Sequence, residues 1–294
     1  MIGEHTGLNR KFEDMLISLI SKVNLPDLEF FVNLRDKPVE KGKIPMPILS
    51  FVGSRDTADI AMPSYELTHS MLYAMHKADT DLLGVPGDIG PAWSEKIPLG
   101  FWRGRDSREQ RLDLCRLSRG YPDKIDAKLT QSLFFSHVPS LYGEIAKKVP
   151  FKSFFDYKYQ ISLDGIVAAF RVPFVMAGSS VLFKQDSFFY EHFYADLEPW
   201  VHYIPFNHNL NNLIQRINWA IDNDHLAHII AENGRHFIRT QLNPSDIYCY
   251  MFRLLERYSQ KQYGKIAVRK DMHELFGKRT CQKCPYNPLR KAEL

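Results

Sequence analysis

The chain has 294 residues, 45% hydrophobic and 13% aromatic, enough for one large or two medium cores and outside the range of disordered chains. No run approaches the roughly 18 unbroken apolar residues that a membrane span needs, and the opening MIGEHTGLNRKFEDM lacks the basic-then-apolar layout of a secretory signal. The net charge of +4 sits at the end, where residues 261–294 carry nine Lys/Arg and three Asp/Glu against 29 basic and 31 acidic residues before them; the body is not the broad basic face of a general nucleic-acid binder.

Phe12, Leu16, Leu19, Ile20 and Val23 recur at helical spacing, and LPDLEFFVNLRD then becomes a short apolar run bounded by proline and charges, which reads as a helix followed by a buried strand. Asp36 falls at the carboxyl end of that strand, where open α/β sheets bind ligands, and is a candidate general base. In RDKP it is equally a turn aspartate before Pro38. PILSFVG is a further strand. The stretch from Gly53 to Pro98 is irregular and rich in Pro and Gly, and its end is the expected crossing between two lobes.

GFWRG reads as a strand and REQRLDLCRLSR as a helix. At their junction Arg103, Arg105, Arg108 and Arg111 surround Gly104, where a bidentate guanidinium could hold a diphosphate. Half of them also read as solvated charges paired with Asp106 and Glu109. YKYQISL, SVLFK and WVHYIPF are strands, with IVAAFRVPFVMAG helical between the first two. LDGIVAAFR passes through Gly165 into a small-residue helical start, so that free N–H groups could meet an anion with Arg171 adding charge. The alternative is a tight turn at Gly165 with the alanines packed on the sheet. Glu191, in QDSFFYEHF, is a candidate acceptor of bonds from sugar hydroxyls, or else a surface carboxylate.

Three helical segments close the body, NLNNLIQRINWAIDND, HLAHIIAENGRHFIR and SDIYCYMFRLLERYSQ, punctuated by Asp224, Gly234 and Asn243-Pro244. Strands alternating with helices imply parallel-sheet α/β units, and a helical end after two such regions fits a two-lobed enzyme. The expected divisions are 1–98, 99–262 and a basic tail at 263–294.

Cys115 and Cys249 lie in apolar helical patterns and are expected as buried small hydrophobes. Cys281 and Cys284 form one CQKC pair without a zinc-spaced partner, which fits a disulfide or a free pair better than a metal site. The Asp-X-Asp triplets Asp79/Asp81 and Asp222/Asp224 end no apolar strand and read as helix-boundary caps, so no metal is expected. The last residues, KAEL, are one residue off the Lys-Asp-Glu-Leu retrieval signal.

Together LPDLEFFVNLRDKP, PSYELTHSML, FWRGRDSREQRLDL, YKYQISLDGIVAAFR, KQDSFFYEHFYADLEPWVHYIP and the KAEL end resemble the protein O-glucosyltransferases of the Rumi type (a CAP10-like glycosyltransferase domain), most closely the branch named for its KDEL endings, from about Gly3 to Ser259. The resemblance implies a GT-B fold with two Rossmann-like lobes, and transfer of glucose or xylose from UDP-glucose or UDP-xylose to a serine of folded EGF-like repeats with inversion. It places the catalytic base on Asp36, a donor-binding arginine on Arg111 and the nucleotide-binding segment on Ile166, Val167, Ala168, Ala169, Phe170 and Arg171. Arg103 and Gly165 are expected at the same donor site, with no metal or other cofactor. Where Rumi has a serine in the block after RG, this chain has Arg105. The resemblance begins just before the strand that delivers Asp36, so an incomplete first lobe is one expectation. The KAEL end and the family point to the endoplasmic reticulum lumen and a KDEL-type retrieval receptor; nucleic acid and membrane spans are not expected. A non-catalytic binding protein for EGF-like clients or UDP is the competing reading.

Overall fold

A computed structural model of the chain describes residues 8–68, 90–264, 266–270 and 272. Asp79, Asp81, Cys281, Cys284 and the KAEL end lie outside the described residues. Helix α1 (Leu8–Ile20) forms where the spacing predicts it and buries Phe12, Met15 and Leu19 on one stripe. Strands β1 (Phe31–Asn33), β2 (Ile48–Ser50) and β4 (Ile60–Ala61) build a parallel sheet in the order β1-β2-β4, with the two-residue β3 (Gly53–Ser54) between β2 and β4 in the chain. The buried strand expected over LEFFVNL is only three residues long. It is an edge strand with Phe31 exposed and Asn33 buried, so its apolar run faces two environments.

The second sheet contains β5 (Ile97–Arg105), β6 (Ile125–Gln131), β7 (Tyr157–Ser162), β8 (Val181–Gln185) and β10 (Ile204–Phe206). Its order is β10-β8-β7-β5-β6, every pair parallel. Helices cover its faces, so buried stretches such as Phe101–Trp102 and Val181–Phe183 read as continuous apolar runs without alternation. Helix α2 (Glu109–Gly120) carries the chain from β5 to β6, the one-turn α3 (Pro139–Tyr142) follows β6, and α4 (Val172–Ala177) joins β7 to β8. From β5 the chain goes to β6 on one side, whereas β7, β8 and β10 lie on the other. The reversal between β5 and β7 opens a crevice at their carboxyl ends, the usual ligand position in such sheets.

Helices α5 (Leu213–Asp222), α6 (Asp224–Gln241) and α7 (Pro244–Gln260) follow. Gly234 does not interrupt α6: a Cβ there would lie 2.6 Å from the His202 carbonyl oxygen, so the glycine allows close packing inside a continuous helix. Asn243 caps α7, accepting from the Ser245 and Asp246 backbone N–H groups, and Pro244 opens its first turn.

The sequence division placed α7 with the second unit, yet it packs back on the first. Met251 and Leu255 share a core with Phe12, Leu19, Leu34 and Leu49. Tyr250 donates to the Ala61 carbonyl at 2.8 Å and Tyr258 to the Pro47 carbonyl at 3.0 Å. A second seam between the halves is the antiparallel pair of β3 with β9 (Phe189–Tyr190). Cys115 is buried in α2 as expected, whereas Cys249 is exposed, because it falls on the outer face of α7.

Candidate active site

A cleft of about 700 Å³ opens where the two sheets meet. Its floor comes from the loops after β5 and β7, the switch-point loops, and includes Arg105, Ser107, Arg111 and every residue from Gly165 to Arg171. Asp36, Tyr65 and Glu66 form the wall from the first sheet, and Thr130, Gln131, Lys148 and Val149 the opposite wall. Asp36 and the arginine cluster thus face one space, although 75 residues separate Asp36 from Arg111 in the chain.

The turn that carries Asp36 is fixed from beneath. Buried Asn33 donates through Nδ2 to the Lys37 carbonyl at 2.8 Å and to Ser50 Oγ at 3.1 Å, while its Oδ1 accepts the Arg35 N–H at 3.0 Å. Ser50 donates onward to Asp59 at 2.5 Å, and Asp59 also accepts the N–H groups of Val39 and Glu40 at 3.0 and 2.7 Å. Asn33 therefore closes the loop and aims Asp36 from the end of β1. Asp36 thus sits in a bend three residues past the end of β1, on the wall of the cleft.

The arginines divide into two kinds. Arg103 lines the cleft, but its fork is taken: Nη2 meets Asp126 at 2.7 Å, Nη1 donates to the Trp102 and Asp126 carbonyls, and the guanidinium lies 4.3 Å from the Phe101 ring centre. Burial alone would raise the Asp126 carboxyl, and Arg103, helped by Lys128 and Tyr157, more than offsets it, holding it below the usual range. Its role is therefore closer to a structural ion pair than to the free diphosphate fork expected from sequence.

The other kind is held by neutral oxygens. Arg111, buried, donates to the carbonyls of Asp164 (2.8 Å), Arg105 (3.0 Å) and Leu163 (3.2 Å). Arg108 donates to the Ile166 carbonyl and Arg171 to the Arg103 carbonyl. Among the described residues none of Arg105, Arg108, Arg111 and Arg171 has a carboxylate within 4.0 Å. The pairing of Arg105 or Arg108 with Asp106 expected from sequence does not occur, because Asp106 turns inward and accepts the N–H groups of Leu133, Phe134 and Phe135. Burial and then the like charges of Arg171, Arg105 and Arg108 push Arg111 down to about 9. Burial lowers Arg171 as well, with Glu66 opposing. These guanidiniums tie the two switch-point loops together, with Asp164 and Glu66 acting on them only at longer range, an arrangement that favours an anion in the cleft.

The segment Gly165–Arg171 lines this floor, but not as a helix start. Gly165 donates to the Val167 carbonyl, the chain bends through Ala169, and α4 begins only at Val172. Pro173 supplies the reason: lacking an N–H, proline is accommodated in the first helical turn and not in the interior. Gly165 itself is a close approach, since a Cβ there would lie 3.1 Å from Arg111 Nη2 and 3.3 Å from Ser107 Oγ. Val167 and Ala168 belong to the core of the first unit, alongside Leu34.

Glu191 is not brought to the cleft. It is 1% exposed, at the inner end of β9, and burial pushes its carboxyl up to about 8 against the opposing Ser64 hydroxyl and Lys184 charge. The strand pair β3–β9 turns it inward, so it is not a surface carboxylate either. Asp222 and Asp224 mark the boundary of α5 and α6; Asp224 accepts from Trp93 Nε1 at 3.0 Å and Lys158 Nζ at 2.7 Å. The sequence reading did not single out Tyr65 and Glu66, although both lie in the block PSYELTHSML. Burial raises the Glu66 carboxyl, with Lys11, Tyr65 and Arg171 opposing.

The family description for glycosyl transferase family 90 matches residues 8–291. Over 273 residues the chain is 50% identical to Protein O-glucosyltransferase 2 of Danio rerio, covering 92% of this chain and 55% of that protein. Over 276 residues it is 45% identical to Protein O-glucosyltransferase 3 of Homo sapiens, covering 92% and 54%. The chain spans about half the length of these relatives. A solved glycosyltransferase from Rickettsia africae ESF-5 aligns over 89% of this chain and 85% of that one, with 9% identity and a TM-score of 0.46.

Proposed function

The chain belongs to glycosyl transferase family 90, and from that premise we propose that it moves glucose, or xylose, from a uridine diphosphate sugar to a serine hydroxyl of a folded EGF-like repeat, with inversion at the anomeric carbon. The observation that carries this reading is the set of guanidiniums without carboxylate partners at the switch point, facing Asp36 across one cleft. The names of the two relatives, both protein O-glucosyltransferases, support a protein acceptor.

A serine hydroxyl is a weak nucleophile at neutral pH. Asp36 takes its proton as the serine oxygen bonds to the anomeric carbon, a contribution of about 10²–10⁴ in rate. The bond from that carbon to the diphosphate breaks on the opposite face, and negative charge grows on the departing phosphate. Arg111 and Arg171, fixed by backbone carbonyls before the reaction, stabilise that charge without reorganising. Arg105 and Lys148 line the same space. This reading gives side chains the role a divalent cation has in other transferases, so a chelator should leave the rate unchanged. We place the protein in the endoplasmic reticulum lumen on the strength of the family.

The test is transfer of radiolabelled glucose from UDP-glucose to a folded EGF-like repeat, with Asp36→Asn in parallel and UDP binding followed by calorimetry. Transfer by the wild type, lost in the variant while UDP affinity holds, is the expected result. UDP binding without transfer in both proteins supports the non-catalytic reading instead.

A further inference from the structure

Between the cleft-lining residues Thr130–Gln131 and Lys148–Val149 the chain leaves the sheet and returns, closed at its base by the Ala146 N–H donating to the Leu129 carbonyl at 2.8 Å. This excursion is apolar where loops are ordinarily polar. Leu133, Phe134 and Phe135 are 64%, 52% and 40% exposed, and Val138, Leu141 and Ile145 are also exposed.

The exposure is built into the fold. Asp106, fully buried at the end of β5, accepts three consecutive backbone N–H groups, those of Leu133, Phe134 and Phe135, and the Ser132 hydroxyl. A carboxylate placed under a turn in this way fixes the backbone and leaves the three apolar side chains pointing outward. Exposed apolar patches held on a folded scaffold mark interaction sites. The surroundings are basic: residues 132–152 include Lys147, Lys148 and Lys152 against the single carboxylate Glu144.

We infer that this apolar face on the lip of the cleft is the docking surface for the folded acceptor domain, and that it receives an apolar patch bordered by acidic side chains. The inference rests on the proposed protein-acceptor reading. Its position supports it, since a domain seated on the Leu133–Phe135 turn lies beside the opening that leads to Asp36.

The experiment compares the 294-residue wild type with Phe134→Ser and Leu141→Ser, using a folded EGF-like repeat as probe. Acceptor KM should rise at least tenfold in both variants, with kcat and UDP affinity unchanged, and direct binding of the repeat should weaken in parallel and with added salt. Transfer with KM within twofold of wild type in both variants overturns the inference and leaves the glycosyl-transfer reading intact. Binding of the repeat by the wild type without transfer, lost in the variants, keeps the docking surface and overturns the transfer reading. A wild-type dimer that becomes monomeric in the variants with acceptor KM unmoved assigns the face to a second copy of the chain and overturns the inference.

Discussion

Replacing Asp106 by Asn tests whether the cleft lip is held by one buried carboxylate. The side chain accepts from Leu133 N at 2.7 Å, Phe135 N at 2.9 Å, Phe134 N at 3.0 Å and Ser132 Oγ at 3.0 Å. An amide with its oxygen at the Oδ2 position keeps the Phe134, Phe135 and Ser132 bonds without their charge assistance and turns an NH₂ group toward the Leu133 N–H, so one of the four bonds is lost and three are weakened. Hydrogen bonds to a charged group contribute ~1.5–3 kcal/mol each, and because the freed donor belongs to a surface turn and regains water, the net cost lies near ~2–3 kcal/mol. At roughly 2–4 °C per kcal/mol that is a fall in Tm of ~5–10 °C. The pH dependence has a definite sign. Burial alone would raise the Asp106 carboxyl, and the three N–H groups and the hydroxyl outweigh it, holding it below the usual range. Its stabilisation is therefore present above the unfolded value of about 4 and is lost as pH falls through the lower folded value. Thermal unfolding followed by circular dichroism should show a full gap between the two proteins at pH 7 that closes below about pH 4. A Tm within about 1 °C of wild type at pH 7, or a gap unchanged in acid, refutes the clamp.

Asn33→Ala removes the amide that closes the Asp36 turn, and kcat should fall about 10–100-fold with UDP affinity unchanged, since small displacements of a catalytic group are costly; a proportional loss of UDP binding would contradict a positioning role. Glu191→Gln should raise Tm at pH 8 and have no effect near pH 4. The folded carboxyl, pushed up to about 8, stays protonated while the unfolded one ionises, so wild-type stability falls as pH rises between about 4 and 8; a variant less stable at pH 8 argues against a neutral buried acid. Gly178→Ala drives a Cβ into the ring of fully buried Phe155 and should cost ~1–3 kcal/mol in denaturant unfolding, whereas a neutral result would mean that the ring moves aside.

The sequence reading reached the two parallel sheets because their signals are local. Short apolar runs bounded by turn residues mark β5, β7 and β8, and 3.6-residue spacing marks α1, α2 and the last three helices. Asp36 was legible because its position follows from the strand before it. Arg111 and Arg103 were not separable on letters, since what distinguishes them is Asp126, which stands 23 residues beyond Arg103 and meets it only through the pairing of β5 with β6. Glu191 was misplaced for a similar reason: QDSFFYEHF gives no sign that β9 pairs with β3 and turns the carboxylate inward. The missing helix start at Ile166 was readable, because Pro173 restricts where the first turn can lie.

The packing explains how Asp36 from one sheet and the guanidiniums from the other come to line one cleft. Val167 and Ala168 leave the second sheet with the loop after β7, yet they pack in the core that holds Leu34, two residues before Asp36. Met251 and Leu255 of α7 enter the same core, and the backbone of Gly165–Ile166 is tied to Arg108 and approached closely by Arg111. One apolar cluster therefore sets the distance between Asp36 and the guanidiniums. Close-packed apolar cores resist shifts of even a methylene, so changes at Val167 or Leu34 should act on the geometry of the cleft as well as on stability. Burial and the neighbouring charges of Arg171, Arg105 and Arg108 hold Arg111 below its usual range, with Asp164 opposing, so an anion bound in the cleft would relieve that repulsion.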